Sequence, residues 1–153
     1  MPTTINFDTV FPAFLTGNMS TSVIDPDGTP NRVLEITLPF TVVVDWTLSG
    51  TSASTIGGTW DVKVILDSIV LDPPAPEVSK QVAADLGHSL AAVQAGSTPT
   101  NRIFKATLPI PAGVVPHTGV YKLITLIDYK DVANNPGQMA AFSEGPMLDF
   151  YNP

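Results

Sequence analysis

Apolar side chains occupy every even-numbered position from Leu34 to Leu48: Leu34, Ile36, Leu38, Phe40, Val42, Val44, Trp46 and Leu48. The odd positions between them are polar or small apart from Val43: Glu35, Thr37, Pro39, Thr41, Asp45 and Thr47. Successive side chains of an extended strand point to opposite faces, so the run has one dry face and one wet face. A straight strand of that length would span about 50 Å at roughly 3.3 Å per residue, too long for a compact domain. Pro39 donates no ladder hydrogen bond, so the run is expected to bend there and serve two sheets, or to be two strands.

The same parity returns in Trp60, Val62, Val64 and Leu66, set against Asp61, Lys63 and Asp67. Two antiparallel runs that both bury even positions pair in registers whose residue numbers sum to an even value. A sum of 106 puts Trp46 opposite Trp60, Val44 opposite Val62 and Val42 opposite Val64, which predicts a hairpin across a Ser/Thr/Gly loop at 49–58. That register also sets Asp45 opposite Asp61 on the outer face, where like charges destabilise the pair. Lys63, a bound cation or a partner's basic side chain would relieve them.

Weaker alternation predicts further strands at 3–10, 102–110 and 138–151, the last broken or bulged at Gly145–Pro146. The run Tyr121, Leu123, Ile127, Tyr129 is joined by Val120, Ile124 and Leu126, so it is apolar on both faces and reads as a central, covered strand. Residues 12–30 read as turn-rich, with Asp25-Pro26-Asp27-Gly28 a strong turn signal, and 131–137 (DVANNPG) is a second turn cluster. The stretch 78–95 is open between a short helix, on the spacing of Val78, Val82 and Leu86, and a poorly periodic strand. An echo between 31–39 (NRVLEITLP) and 101–109 (NRIFKATLP) is short enough to arise by chance.

About seven short strands, regular turn signals and a Trp early in the second third resemble an immunoglobulin-like or fibronectin-III-like antiparallel β-sandwich. The resemblance covers most of the chain as pattern and lacks the paired cysteines of antibody domains. It implies a scaffold used for adhesion, assembly or ligand binding more often than for catalysis. At 153 residues one all-β domain over 1–153 is expected, with a core large enough to need no staples.

Composition narrows the chemistry. Without cysteine there are no disulfides, thiolate zinc sites or cysteine nucleophiles. Net charge is −7 and the seven basic residues are scattered singly, so no basic stripe suits nucleic acid or an anionic membrane. No run approaches the roughly 18 apolar residues of a membrane helix, and no basic residue precedes Arg32, so no secretory signal is expected; a cytoplasmic place or export by a non-standard route is expected instead.

Two histidines, His88 and His117, sit in loop-like sequence with no nucleophile elbow nearby, so no catalytic set is assigned and no enzyme is expected. Oxygen-rich turns are the better candidates: Asp25, Asp27 and Asn31 in one, Asp128, Asp131 and Asn134 around the other, as calcium would require. Asp and Asn also favour turns without any metal. Phe142, Phe150, Tyr151 and Tyr129 would supply a sugar platform if exposed. Finally, outward Val43 and Ile65, with Asp45 and Asp61, mark a protein-interaction surface on a weakly charged exterior. The expected role is a non-catalytic structural or protein-interaction module, self-assembly into an oligomer or filament being one form of it. The alternative is a carbohydrate- or calcium-binding sandwich acting through its loops.

Overall fold

The computed structural model describes residues 3–6, 15–51, 53, 59–71, 86–88, 92–131, 133 and 135–153. Ten strands run through them: β1 (Thr3–Asn6), β2 (Thr16–Ile24), β3 (Val33–Glu35), β4 (Phe40–Ser49), β5 (Thr59–Leu71), β6 (Leu86–His88), β7 (Ala92–Val93), β8 (Asn101–Ile110), β9 (Gly119–Lys130) and β10 (Pro136–Tyr151). They form two five-stranded sheets, ordered β1-β2-β4-β8-β7 and β3-β10-β9-β5-β6. The strands β2, β4, β8, β7 stand as A, B, E, D of an immunoglobulin domain, and β10, β9, β5, β6 as G, F, C, C′. Trp60 lies at the start of β5, the C position. The Tyr121 hydroxyl, near the start of β9, donates to the His117 carbonyl at 2.7 Å, which reproduces the tyrosine corner of that fold. The chain is an immunoglobulin-like β-sandwich.

Pro39 acts as its chemistry requires. Residues 33–35 pair in parallel with the end of β10 in the second sheet. The chain then turns, with Leu38 N–H donating to the Glu35 carbonyl at 3.1 Å, and β4 begins at Phe40 in the first sheet. One alternating run therefore serves both sheets. The echo at 101–109 lies within the unbroken β8, so the two copies are not equivalent strands.

The expected hairpin does not form. β4 pairs with β2 and β8, whereas β5 pairs with β9 and β6 in the other sheet. Trp46 and Trp60 do meet, but across the core, with ring centroids 5.8 Å apart and an edge-on angle of 63°. Parity alone does not separate the two cases, because strands facing each other across a sandwich also point the same parity inward. Phe104 stacks on Trp46 at 5.6 Å, and Tyr129 leans on Trp60 at 5.1 Å. Phe40, Tyr121 and Phe150 form a second aromatic group, with Phe150 5.4–5.5 Å from each of the others.

Three other expectations change. Residues 16–24 form a nine-residue strand within the stretch read as turn-rich. Its interior positions are Gly17, Met19, Thr21 and Val23, so half of them carry no large apolar group and the alternation is faint. Within 78–95 the described residues are the strands β6 and β7 and the turn residues 94–95, so His88 lies in a strand; the remainder of the helix expectation falls outside the described residues. β9 is central, between β10 and β5, yet only one of its faces is buried; the other is half-exposed. No helix among the described residues is long and apolar enough to cross a membrane.

Candidate interaction surface

The two outward faces of the sandwich differ in chemistry. That of the first sheet is mostly polar: Asn18, Ser20 and Ser22 on β2, Thr41, Asp45 and Thr47 on β4, Lys105 and Thr107 on β8, with Ile24, Val43 and Ile103 scattered among them. That of the second sheet carries Ile65 on β5, Ile124 and Leu126 on β9, and Phe142 and Met147 on β10. Ladder registers put Ile65 beside Ile124 and Leu126 beside Phe142, so these side chains are neighbours. Phe142 and Met147 are 48% and 49% exposed.

Charges interleave with these apolar side chains, Lys63 standing opposite Leu126 and Glu144 opposite Ile124. Lys122 Nζ lies 3.2 Å from Glu144, and Lys130 Nζ lies 2.6 Å from Asp61. Asp61 does face a like charge across the ladder, but the opposing residue is Asp128 on β9 and the relieving cation is Lys130. Asp45 is on the other side of the molecule, between Ser20 and Lys105, and Val43 stands there between Ser22 and Thr107. The surface expected from Asp45, Asp61, Val43 and Ile65 is thus split: Asp61 and Ile65 share the second sheet's outer face, Asp45 and Val43 the first's. The error is the hairpin again, since it placed all four on one sheet.

Phe142 and Met147 were hidden by a bulge. From Glu144 to Met147 β10 advances three residues while β9 advances two, from Ile124 to Lys122. One extra residue reverses the parity, so Phe142 points out while Phe150, also even, is 1% exposed in the core. The expected aromatic platform dissolves for the same reason. Phe142 and Tyr151 remain exposed at strand positions roughly 30 Å apart by a 3.3 Å rise, Phe150 is buried, and Tyr129 packs on Trp60.

The acidic turns are self-contained. Asp25 Oδ1 accepts the backbone N–H of Asp27 and of Thr29, both at 3.2 Å, and Oδ2 accepts Asn31 Nδ2 at 3.2 Å. Asp27 Oδ1 accepts the Thr29 hydroxyl at 2.6 Å. The Asp25 carboxyl is drawn from 3.8 down to about 2, first by its hydrogen bonding with the Asp27 side chain, with desolvation opposing, then by Asn31 and Thr29. Gly28, at φ +90°, closes this turn. Asp131 likewise accepts the N–H groups of Ala133 and Asn135, each at 2.9 Å. Asp128 is exposed on β9 and takes no part in that turn; Asn134 lies outside the described residues. Among the described residues no three His, Asp or Glu side chains gather as metal ligands would. An open cleft of about 520 Å³ adjoins the first turn, walled by Ile24, Pro26, Pro39, Phe40, Pro109 and Ile110. Asp25 lies on its rim with both oxygens already engaged.

No protein-family model and no curated protein sequence matches this chain. Among the solved structures that resemble it, each weakly, are the following two. A β-glucosidase from Listeria innocua, in complex with isofagomine, aligns with a TM-score of 0.46 and 12% identity over 86% of this chain and 16% of that one. AggA, the major subunit of aggregative adherence fimbriae type I from Escherichia coli, aligns with a TM-score of 0.38 and 14% identity over 88% of this chain and 95% of that one. The chain thus spans about a sixth of the glucosidase's length. At these scores neither likeness bears on function.

Proposed function

We propose that this chain is a non-catalytic structural module that binds protein, copies of itself included, through the outer face of its second sheet. One observation carries the reading: Ile65, Ile124, Leu126 and Phe142 are neighbours on that face, with Met147 exposed nearby beside Lys122, while the opposite face is mostly polar. Single exposed apolar residues are ordinary on a protein surface, but neighbouring ones interleaved with paired charges have the mixed composition of an interface. Sedimentation velocity over a rising concentration series tests it. The expected result is association that Leu126→Glu abolishes and Val43→Glu, on the opposite face, leaves intact. A monomer at every concentration, indistinguishable from Leu126→Glu, would sink the reading.

A further inference from the structure

The open cleft beside the first turn is built where three strands of the first sheet end. Ile24 on β2, Thr41 on β4 and Pro109 on β8 are register partners, so their outward side chains form one row across it. Neighbouring strands lie about 4.8 Å apart, which makes the row roughly 10 Å long, the reach of about three residues of extended chain. Pro26, Pro39 and Pro111 stand around the row. A second, smaller cleft of about 90 Å³ shares Asp25, Pro26, Pro39 and Phe40 with the first. It adds Val33, Leu38 and Tyr151, all three exposed. At about 520 Å³ the main cleft has the size of a ligand site.

The chemistry of the walls selects the ligand. Proline has no N–H, so Pro26, Pro39, Pro109 and Pro111 bring carbon and carbonyl oxygen but no backbone donor. Among the described residues, the charged groups that line the two clefts are the carboxylates Asp25 and Glu35. Asp25, drawn down to about 2, stays ionised; its oxygens are engaged within the turn, so it acts through its charge. Glu35 gives Oε1 to the Thr37 hydroxyl, and its Oε2 has no partner among the described residues. Asp27, whose N–H bonds Asp25, adds a third negative charge behind the rim. A floor of carbon beside acceptors and carboxylates is the complement of an apolar group beside a cationic donor.

We propose that this cleft binds a short extended peptide segment, with an apolar side chain over Ile24, Thr41 and Pro109 and an adjacent lysine or arginine beside Asp25 and Glu35. A ligand that crosses three strands of an open cleft needs length rather than depth, which suits a chain more than a compact amine. The net charge of −7 draws a basic segment in from a distance. The cleft lies at the end of the first sheet, away from the face read above as an interface, so the two readings stand or fall separately.

The test is a titration of the full chain at low salt, read from the backbone amide resonances of Ile24, Gly28, Thr41 and Ile110. The probe is acetyl-Leu-Lys-Leu-amide; acetyl-Leu-Glu-Leu-amide, acetyl-Ser-Lys-Ser-amide and hexylammonium are its controls. Saturable shifts centred on those four amides are expected with the probe and not with the controls, and added salt weakens them. Glu35→Gln should weaken binding about two- to fivefold, the scale of one exposed ion pair. Thr41→Lys, which sets an ammonium on the floor, should abolish it, with melting temperatures recorded to show that both variants are folded. Equal shifts with either control peptide, or none with the probe, overturn the proposal. Hexylammonium binding as tightly as the probe reassigns the cleft to small amines and overturns the peptide. Binding that survives Thr41→Lys overturns the place.

Discussion

Thr21 places a hydroxyl at a fully buried interior position, where a methyl group would cost nothing to bury. Its Oγ1 reaches across from β2 to Thr125 Oγ1 on β9 at 3.4 Å, so two buried hydroxyls from opposite sheets answer each other. Leaving one of them alone costs more than removing both. Thr21→Val should therefore lower stability by about 1–2 kcal/mol, while Thr21→Val with Thr125→Val together should cost less than the two single changes summed. Urea unfolding of the four proteins measures the difference. Asp25 makes a second residue-scale prediction, through pH. Its folded value of about 2 lies below its ordinary 3.8, so the ionised form is favoured in the fold. That contribution is complete above about pH 4 and is lost as pH falls through about 2. Asp25→Asn should flatten this part of the stability profile, seen as urea midpoints that change less between pH 4 and pH 2.

Tyr121 belongs to the scale of elements, because its hydroxyl ties β9 to the loop that enters it. The bond to the His117 carbonyl is short, 2.7 Å, and the ring is edge-on to Phe150. Burial pushes the phenol above its ordinary 10.0, with the bond to His117 opposing, so the neutral form is the folded one. Tyr121→Phe keeps the ring and removes the tie, and a loss of about 1 kcal/mol in urea unfolding is expected. How far the elements could be read in advance follows from their interior residues. β4, β8 and β5 as far as Leu66 fill theirs with Val, Leu, Ile, Phe, Ala and Trp, so each shows its period plainly; Ser68 breaks it at the end of β5. β2 does not, since Gly17 and Thr21 interrupt it. β10 misleads, because its bulge changes which parity faces the core. The candidate surface inherits both outcomes: Ile65 and Asp61 were legible from β5, whereas Phe142 and Met147 required the bulge to be located.

At the scale of the whole molecule, the two sheets share one interior. Trp46, from the first sheet, touches Trp60 of the second and stacks on its own neighbour Phe104, so neither sheet keeps its buried face if the other departs. Unfolding should consequently be a single transition. Tryptophan fluorescence, which reports the junction, and far-ultraviolet circular dichroism, which reports strands throughout, are expected to give the same urea midpoint. Two separated midpoints would mean that the sheets melt apart. The asymmetry of the exterior appears only at this scale. Whether an outward residue belongs to the mostly polar or the more apolar face depends on which sheet its strand joins.

The alternation from Leu34 to Leu48 determined, unaided, that Leu34 and the even positions of β4 face inward, but not Leu38, which the turn before β4 leaves 43% exposed, and Pro39 determined that the run could not remain one strand. Both are local consequences of backbone geometry: side chains alternate along any extended strand, and proline cannot donate to a ladder. Only the tertiary structure decided that β4 and β5 lie in opposite sheets, that Trp46 meets Trp60 across the core, and that Asp61 answers to Lys130 on a different face from Asp45. Parity is the same for two strands paired edge to edge and for two packed face to face. The choice between them is made by hydrogen-bond partners distant in the chain, and alternation carries no record of it.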